Sequence, residues 1–139
     1  MLLANIDQLP PYPLEIDDEY LTSQGHFPQP EDSPSYMTGF VINTKLFNTL
    51  AECLFRNRNV AFMLRAGVSQ EVLGDWVRQQ RGVLPRTLQQ LPLTWTTRPI
   101  RPDAKDDLFA TQYANIVVTA VTLELALVSL GLALFTVSG

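Results

Sequence analysis

Four carboxylates crowd one short run, Glu15, Asp17, Asp18 and Glu19. Carboxylate oxygens are the ligands that a hard cation such as Mg²⁺ or Ca²⁺ takes. The run lacks the alternating ligand spacing and the central glycine of a calcium loop, so it reads as a solvated acidic strap or as a helix-start signal before Tyr20. Interspersed with Leu14, Ile16, Tyr20 and Leu21, the same acids also have the composition of an activation-type segment. The chain has one cysteine, Cys53, and one histidine, His26. A thiol beside an imidazole can act as a nucleophilic pair, but nothing in the sequence sets these two side by side. Cys53 falls at helical spacing among Leu50, Leu54 and Phe55, where a thiol behaves as a small core hydrophobe.

The remaining chemistry is sparse. A structural zinc site takes about four Cys or His ligands, and this chain has one of each. A lone cysteine forms no internal disulfide, which makes a reducing compartment the simpler expectation. Ser33 and Ser69 stand in no nucleophile-elbow context, and no glycine-rich phosphate loop is present. Arg56, Arg58, Arg65, Arg78 and Arg81 could build a basic face. These arginines are expected on the wet sides of two helices rather than on a single-strand nucleic-acid surface, which also wants aromatic stacking platforms among its cations. The sequence reading is that the chain is not an enzyme and has no catalytic, cofactor-binding or metal-ligating residue.

The charge distribution sets the elements that any such groups would have to sit on. Residues 1–44 contain seven acids and no Lys or Arg, while all ten basic residues lie between Lys45 and Lys105. The formal charge is −4 and the sequence pI about 4.8, so the chain repels a phosphate backbone and is expected not to bind nucleic acid directly. Six of the ten prolines fall in the first 34 residues. Proline removes a backbone donor and drives the preceding residue toward extended conformations, which predicts an extended or turn-like strap. The start shows no charged n-region ahead of an apolar h-region, so no secretory leader is expected.

Helical periodicity begins after Gly39. Asn43 or Thr44 is a suitable cap for a helix with Leu46, Phe47, Leu50, Leu54 and Phe55 at three- and four-residue spacings, running to about residue 66. Ser69 is expected to cap a second helix over 69–81, with Glu71 favourably placed against the helix dipole, apolar Val72, Leu73, Trp76 and Val77, and Gly82 as its stop. Pro85 suits the first turn of a further short helix with Leu88 and Leu91, and Pro92 to Pro102 reads as a surface loop. From about Asp103 to Val137 the pattern predicts one long helix or two stacked ones. Positions 112, 115, 119, 122, 126, 129, 133 and 136 hold only Gln, Asn, Thr, Ala or Ser, a small or polar stripe at helical spacing. That stripe is expected to be a seam accepting a neighbouring helix.

The last segment also admits a membrane reading. Residues 116–137 hold thirteen Ile, Val, Leu or Phe, each favouring insertion by roughly 0.3 to 0.6 kcal/mol at a bilayer centre. Glu124 near the middle opposes this by about 2.5 to 3.5 kcal/mol. The balance is marginal, and a buried core helix is the preferred expectation. A small tail-anchored protein with a cytosolic helical head, anchored over 116–137, is the alternative.

Three phrases carry a family resemblance. They are Pro11-Tyr-Pro-Leu-Glu-Ile-Asp-Asp-Glu-Tyr20, then Ser35-Tyr-Met-Thr-Gly-Phe40, then Gln112-Tyr-Ala-Asn-Ile-Val-Val-Thr119. In this order the chain resembles the regulatory, or middle homology, region of fungal zinc-cluster transcription factors over about its first 125 residues. The six-cysteine cluster through which those factors hold zinc and bind DNA has no counterpart here, so no zinc ligand carries over. The resemblance implies a nuclear, non-catalytic helical scaffold in the regulation of RNA polymerase II transcription. Its implied partners are other helical segments of the same factor or protein co-regulators. The expected fold is mainly α: an irregular helical bundle or partial helical array over 44–139, an incomplete regulatory domain, behind an extended acidic, Pro-rich strap over 1–43.

Overall fold

The computed structural model describes residues 12–15, 17, 21–26, 35–91, 95 and 104–138. A two-residue antiparallel ladder, β1 (Leu21–Thr22) with β2 (Gly25–His26), precedes three helices: α1 (Tyr36–Arg65), α2 (Gln70–Leu88) and α3 (Ala104–Ser138). Gly25 closes the hairpin at φ +131°, a backbone setting that side chains disfavour. The molecule is mainly α, as its composition and periodicity predict.

α1 starts earlier than the apolar periodicity suggests. Ser35, not Asn43 or Thr44, is its N-cap: its backbone is extended and its Oγ accepts from Met37 N at 3.0 Å. Thr44 lies inside the helix, where its hydroxyl donates back to the Phe40 carbonyl at 2.8 Å. The first turns hold Gly39 and few strong helix formers, so local pattern understates them and tertiary contact keeps them helical.

At the other end, Gly67 (φ +96°) closes α1. Its N–H donates to Leu64 O and that of Val68 to Met63 O, the paired bonds of a Schellman motif. Two residues on, Ser69 Oγ accepts from Glu71 N and Val72 N and caps α2 as the sequence predicts.

α2 does not stop at Gly82. It runs on to Leu88 with Pro85 inside it, so the expected short helix at Pro85 is the continuation of α2. Proline forfeits one backbone bond there. Burial of Leu84 and Thr87 against the rest of the molecule holds the last turns in place, and Thr87 Oγ1 donates to the Val83 carbonyl. Tertiary packing outweighs the local breaker.

Cross-helix contacts fix the directions. Gly39 meets Gln112 near the starts of α1 and α3, and Asn57 reaches Ser129 further along both, so these two helices run parallel. α2 runs antiparallel, with Gln70 donating to the Leu134 carbonyl and Arg81 pairing with Glu124. The result is an up-down-up arrangement with α3 as its spine.

α3 buries Phe109, Ile116, Ala120, Leu123, Leu127, Leu130 and Leu134, with Tyr113 half-buried in the same row. These positions alternate by three and four, the spacing of a helix–helix seam. They face Ile42, Leu46, Cys53 and Val60 of α1 and Leu73, Val77 and Leu84 of α2 in one core. The core row lies beside the small-residue stripe rather than on it. Within that stripe Thr119 is buried, Gln112, Ala126 and Ala133 are half-buried, and Asn115, Thr122, Ser129 and Thr136 are exposed. The stripe is thus the rim along which α3 meets α1, not the seam itself. Larger apolar side chains take the interior because they bury more area.

Most of the acidic strap, and the loop from Pro92 to Pro102 apart from Trp95, lie outside the described residues.

Candidate functional site

The best-defined cluster lies where the start of α1 meets the start of α3. Trp95 is buried and stacks on Phe109, ring centroids 4.8 Å apart and planes 19° from parallel. Gly39 lies so close that a Cβ built there would stand 2.6 Å from Gln112 Oε1 and 2.9 Å from Trp95 Cη2. With glycine α1 makes this approach without displacing either side chain, and this is the physical reason for a helix-weakening residue in the first turns. Trp95 Nε1 and Asn43 Oδ1 are buried without a hydrogen-bond partner among the described residues. Sequence reasoning took Gly39 only as the point where helical periodicity begins, and did not single out Trp95 or Phe109. The signal that could have found them was a glycine held inside a helical pattern.

Gly39 belongs to the second quoted phrase and Gln112 opens the third, so the fold joins these two at a packing node. Tyr12 of the first phrase also touches α1. Asn48 Nδ2 donates to the Tyr12 hydroxyl at 3.3 Å, and the Lys45 ammonium stands 5.5 Å from the Tyr12 ring centroid, at the outer reach of a cation–π contact. The strap lies over α1 at this point.

The other singled-out residues stay apart. Asp17 is buried and Glu15 exposed, while Asp18 and Glu19 lie outside the described residues. Among the described residues no three His, Cys, Asp or Glu side chains converge as a metal site would require. His26 lies in β2, and Cys53 is wholly buried in the core. Burial pushes the Cys53 thiol up from 9.0 to about 11, against a smaller lowering by Arg56. A thiolate nucleophile needs the opposite shift, so Cys53 is a packing residue.

Three of the five arginines are tied to acids. Arg56 Nε lies 2.9 Å from Glu52, with its guanidinium over the Trp76 ring at 4.4 Å. Arg78 pairs with Asp75 within α2. Arg81 reaches across to Glu124 at 2.7 Å. Arg58 and Arg65 are exposed on α1. This spreads the cations among local pairs instead of gathering them on one basic face.

The class this defines is an all-α module whose described side chains meet for packing. No family model matches the chain, and no curated protein or solved structure does.

Proposed function

We propose that the chain is a non-catalytic helical scaffold from the regulatory region of a fungal-type zinc-cluster transcription factor. In this reading it acts in the nucleus, in the control of RNA polymerase II transcription, by packing against other helical segments of the factor or against co-regulators. One observation carries the reading. The second and third phrases of the resemblance, 73 residues apart at Gly39 and Gln112, come together at a contact too close for a Cβ unless a neighbour shifts. Contact between the two phrases is what a packed helical scaffold requires, and it supports that part of the reading.

A tail anchor is the second reading, and α3 favours it. Within Asp107–Thr136 an 18-residue window reaches a mean hydropathy of 2.2, with a third of that window buried, so length and composition suffice for a span. Glu124 and its partner Arg81 weigh on the other side. A fluorescently tagged chain, expressed in a fungal cell and followed by carbonate extraction, separates the two. Nuclear signal released by carbonate supports the scaffold. Signal held in a carbonate-resistant membrane fraction overturns it.

A further inference from the structure

α3 carries a second apolar row on the side away from the core. Val118, Val121, Leu125, Val128, Leu132 and Phe135 are all exposed, from 39% at Val128 to 79% at Phe135. They alternate by three and four without a break, the repeat of a coiled-coil seam. The row is narrow. Asn115, Thr122, Ser129 and Thr136 flank it on one side at seven-residue intervals, all exposed, and Glu124 with its Arg81 partner and Gly131 flank it on the other. A surface meant for lipid is apolar across its width, whereas a helix partner needs only the central row.

We infer that this row pairs with the same row of a second copy of the chain, in an antiparallel, two-fold symmetric dimer. The row reads the same spacing from either end, so a two-fold axis at the level between Ala126 and Leu127 sets every residue against another of the row. Val118 then faces the partner's Phe135, Val121 the partner's Leu132, and Leu125 the partner's Val128. Each layer matches a smaller side chain with a larger one, the condition for interdigitated packing, and a symmetric dimer requires this kind of self-complementary patch.

The flanks agree. Thr122 comes opposite the partner's Ser129, and Glu124 opposite the partner's Gly131, so the two Glu124 carboxylates do not face each other. A Cβ at Gly131 would meet nothing within the protomer. Glycine there weakens the helix with no return inside one chain, and room for the opposing Arg81–Glu124 pair supplies the reason.

The size fits as well. From 118 to 135 the row is about 27 Å long, and its half-exposed side chains offer apolar area on the order of the 300–600 Å² that marks an interaction patch. With the hydroxyl-bearing flank it approaches the roughly 800 Å² that each partner of a stable pair gives up. This inference is independent of the regulatory reading.

Sedimentation velocity of the full chain in detergent-free buffer, at tens of micromolar, is the test. The expected mass is twice the 15.6 kDa of one chain. The Leu125→Glu, Leu132→Glu double variant changes exposed positions only, so it should keep its helical circular dichroism while the dimer dissociation constant rises a hundredfold or more. Val121→Cys and Leu132→Cys chains should form a disulfide-linked dimer when mixed and oxidised, and neither should do so alone. A wild-type monomer overturns the inference, as does cross-linking of Val121→Cys with itself, the mark of a parallel pair. Flotation of the wild type with phosphatidylcholine vesicles, abolished in the double variant, would assign the row to lipid and also overturn it.

Discussion

At Gly39 a single hydrogen atom in place of a methyl group sets how near α1 comes to Trp95 and Gln112. Gly39→Ala should gain the intrinsic helix preference of alanine, about 1 kcal/mol. It should lose more to overpacking against a stacked, buried indole, about 1 to 3 kcal/mol. The expected net is a lower melting temperature, read by thermal unfolding, with Gly74→Ala as the control because a Cβ there would make only an ordinary contact at 3.6 Å. Equal responses of the two variants would show that the close approach carries no strain. Cys53 gives a second residue-scale expectation. Its folded thiol titrates near 11 against an ordinary 9.0, so the native state holds the proton that the unfolded chain has released between those values. Stability therefore falls as pH rises from about 9 toward 11 and is unaffected by this group below 9. A Cys53→Ser chain, compared with the wild type by urea unfolding across that range, should lose this slope, and the native wild type should resist alkylation at pH 8.

Helix identity was legible in the sequence, but helix limits and faces were less so. The Ser69 cap, the end of α1 near residue 66 and the long terminal helix all follow from local chemistry, and the structure has them. The start of α1 and the run of α2 through Gly82 and Pro85 do not follow, because packing at Gly39 and Leu84 overrides weak local propensity. In α3 apolar residues surround the helix nearly all the way, so periodicity could identify a small-residue stripe without saying which face turns inward. Two threonines of the stripe therefore differ in their surroundings. Thr119 is 7% exposed and bonds back to Asn115 O, while Thr122 is exposed and bonds back to Val118 O. Thr119→Phe should destabilise the protomer by about 1 to 3 kcal/mol through overpacking, and Thr122→Phe by less than about 0.5 kcal/mol. Urea denaturation of both variants at low protein concentration, where association does not add to stability, tests the assignment. A cost at Thr122 equal to that at Thr119 would restore the stripe as a buried seam.

Over the whole molecule the dominant asymmetry is electrostatic: seven acids and no base in residues 1–44, then all ten bases in 45–105. At the described contact with α1 the strap meets Asn48 and Lys45 through Tyr12, which brings an acid-rich segment onto a helix bearing Arg56, Arg58 and Arg65. The helices need not form a dedicated basic face for this to matter, because the summed field decides whether a polyanion approaches. With the strap intact the net charge is −4 and repulsion prevails. Changing Asp7, Glu15, Asp18, Glu19, Glu31 and Asp32 to their amides, while leaving the buried Asp17 untouched, would turn the net charge positive with little expected change in the core. The wild type should pass through heparin at low salt. The amide variant should be retained and should elute as salt screens the field, with a Debye length of about 10 Å at 0.1 M. Retention of both proteins would mean that the arginines already act together despite their pairing with Glu52, Asp75 and Glu124. Passage of both would mean that local ion pairs, and not the strap, neutralise the helices, leaving the acidic segment free for a positively charged partner.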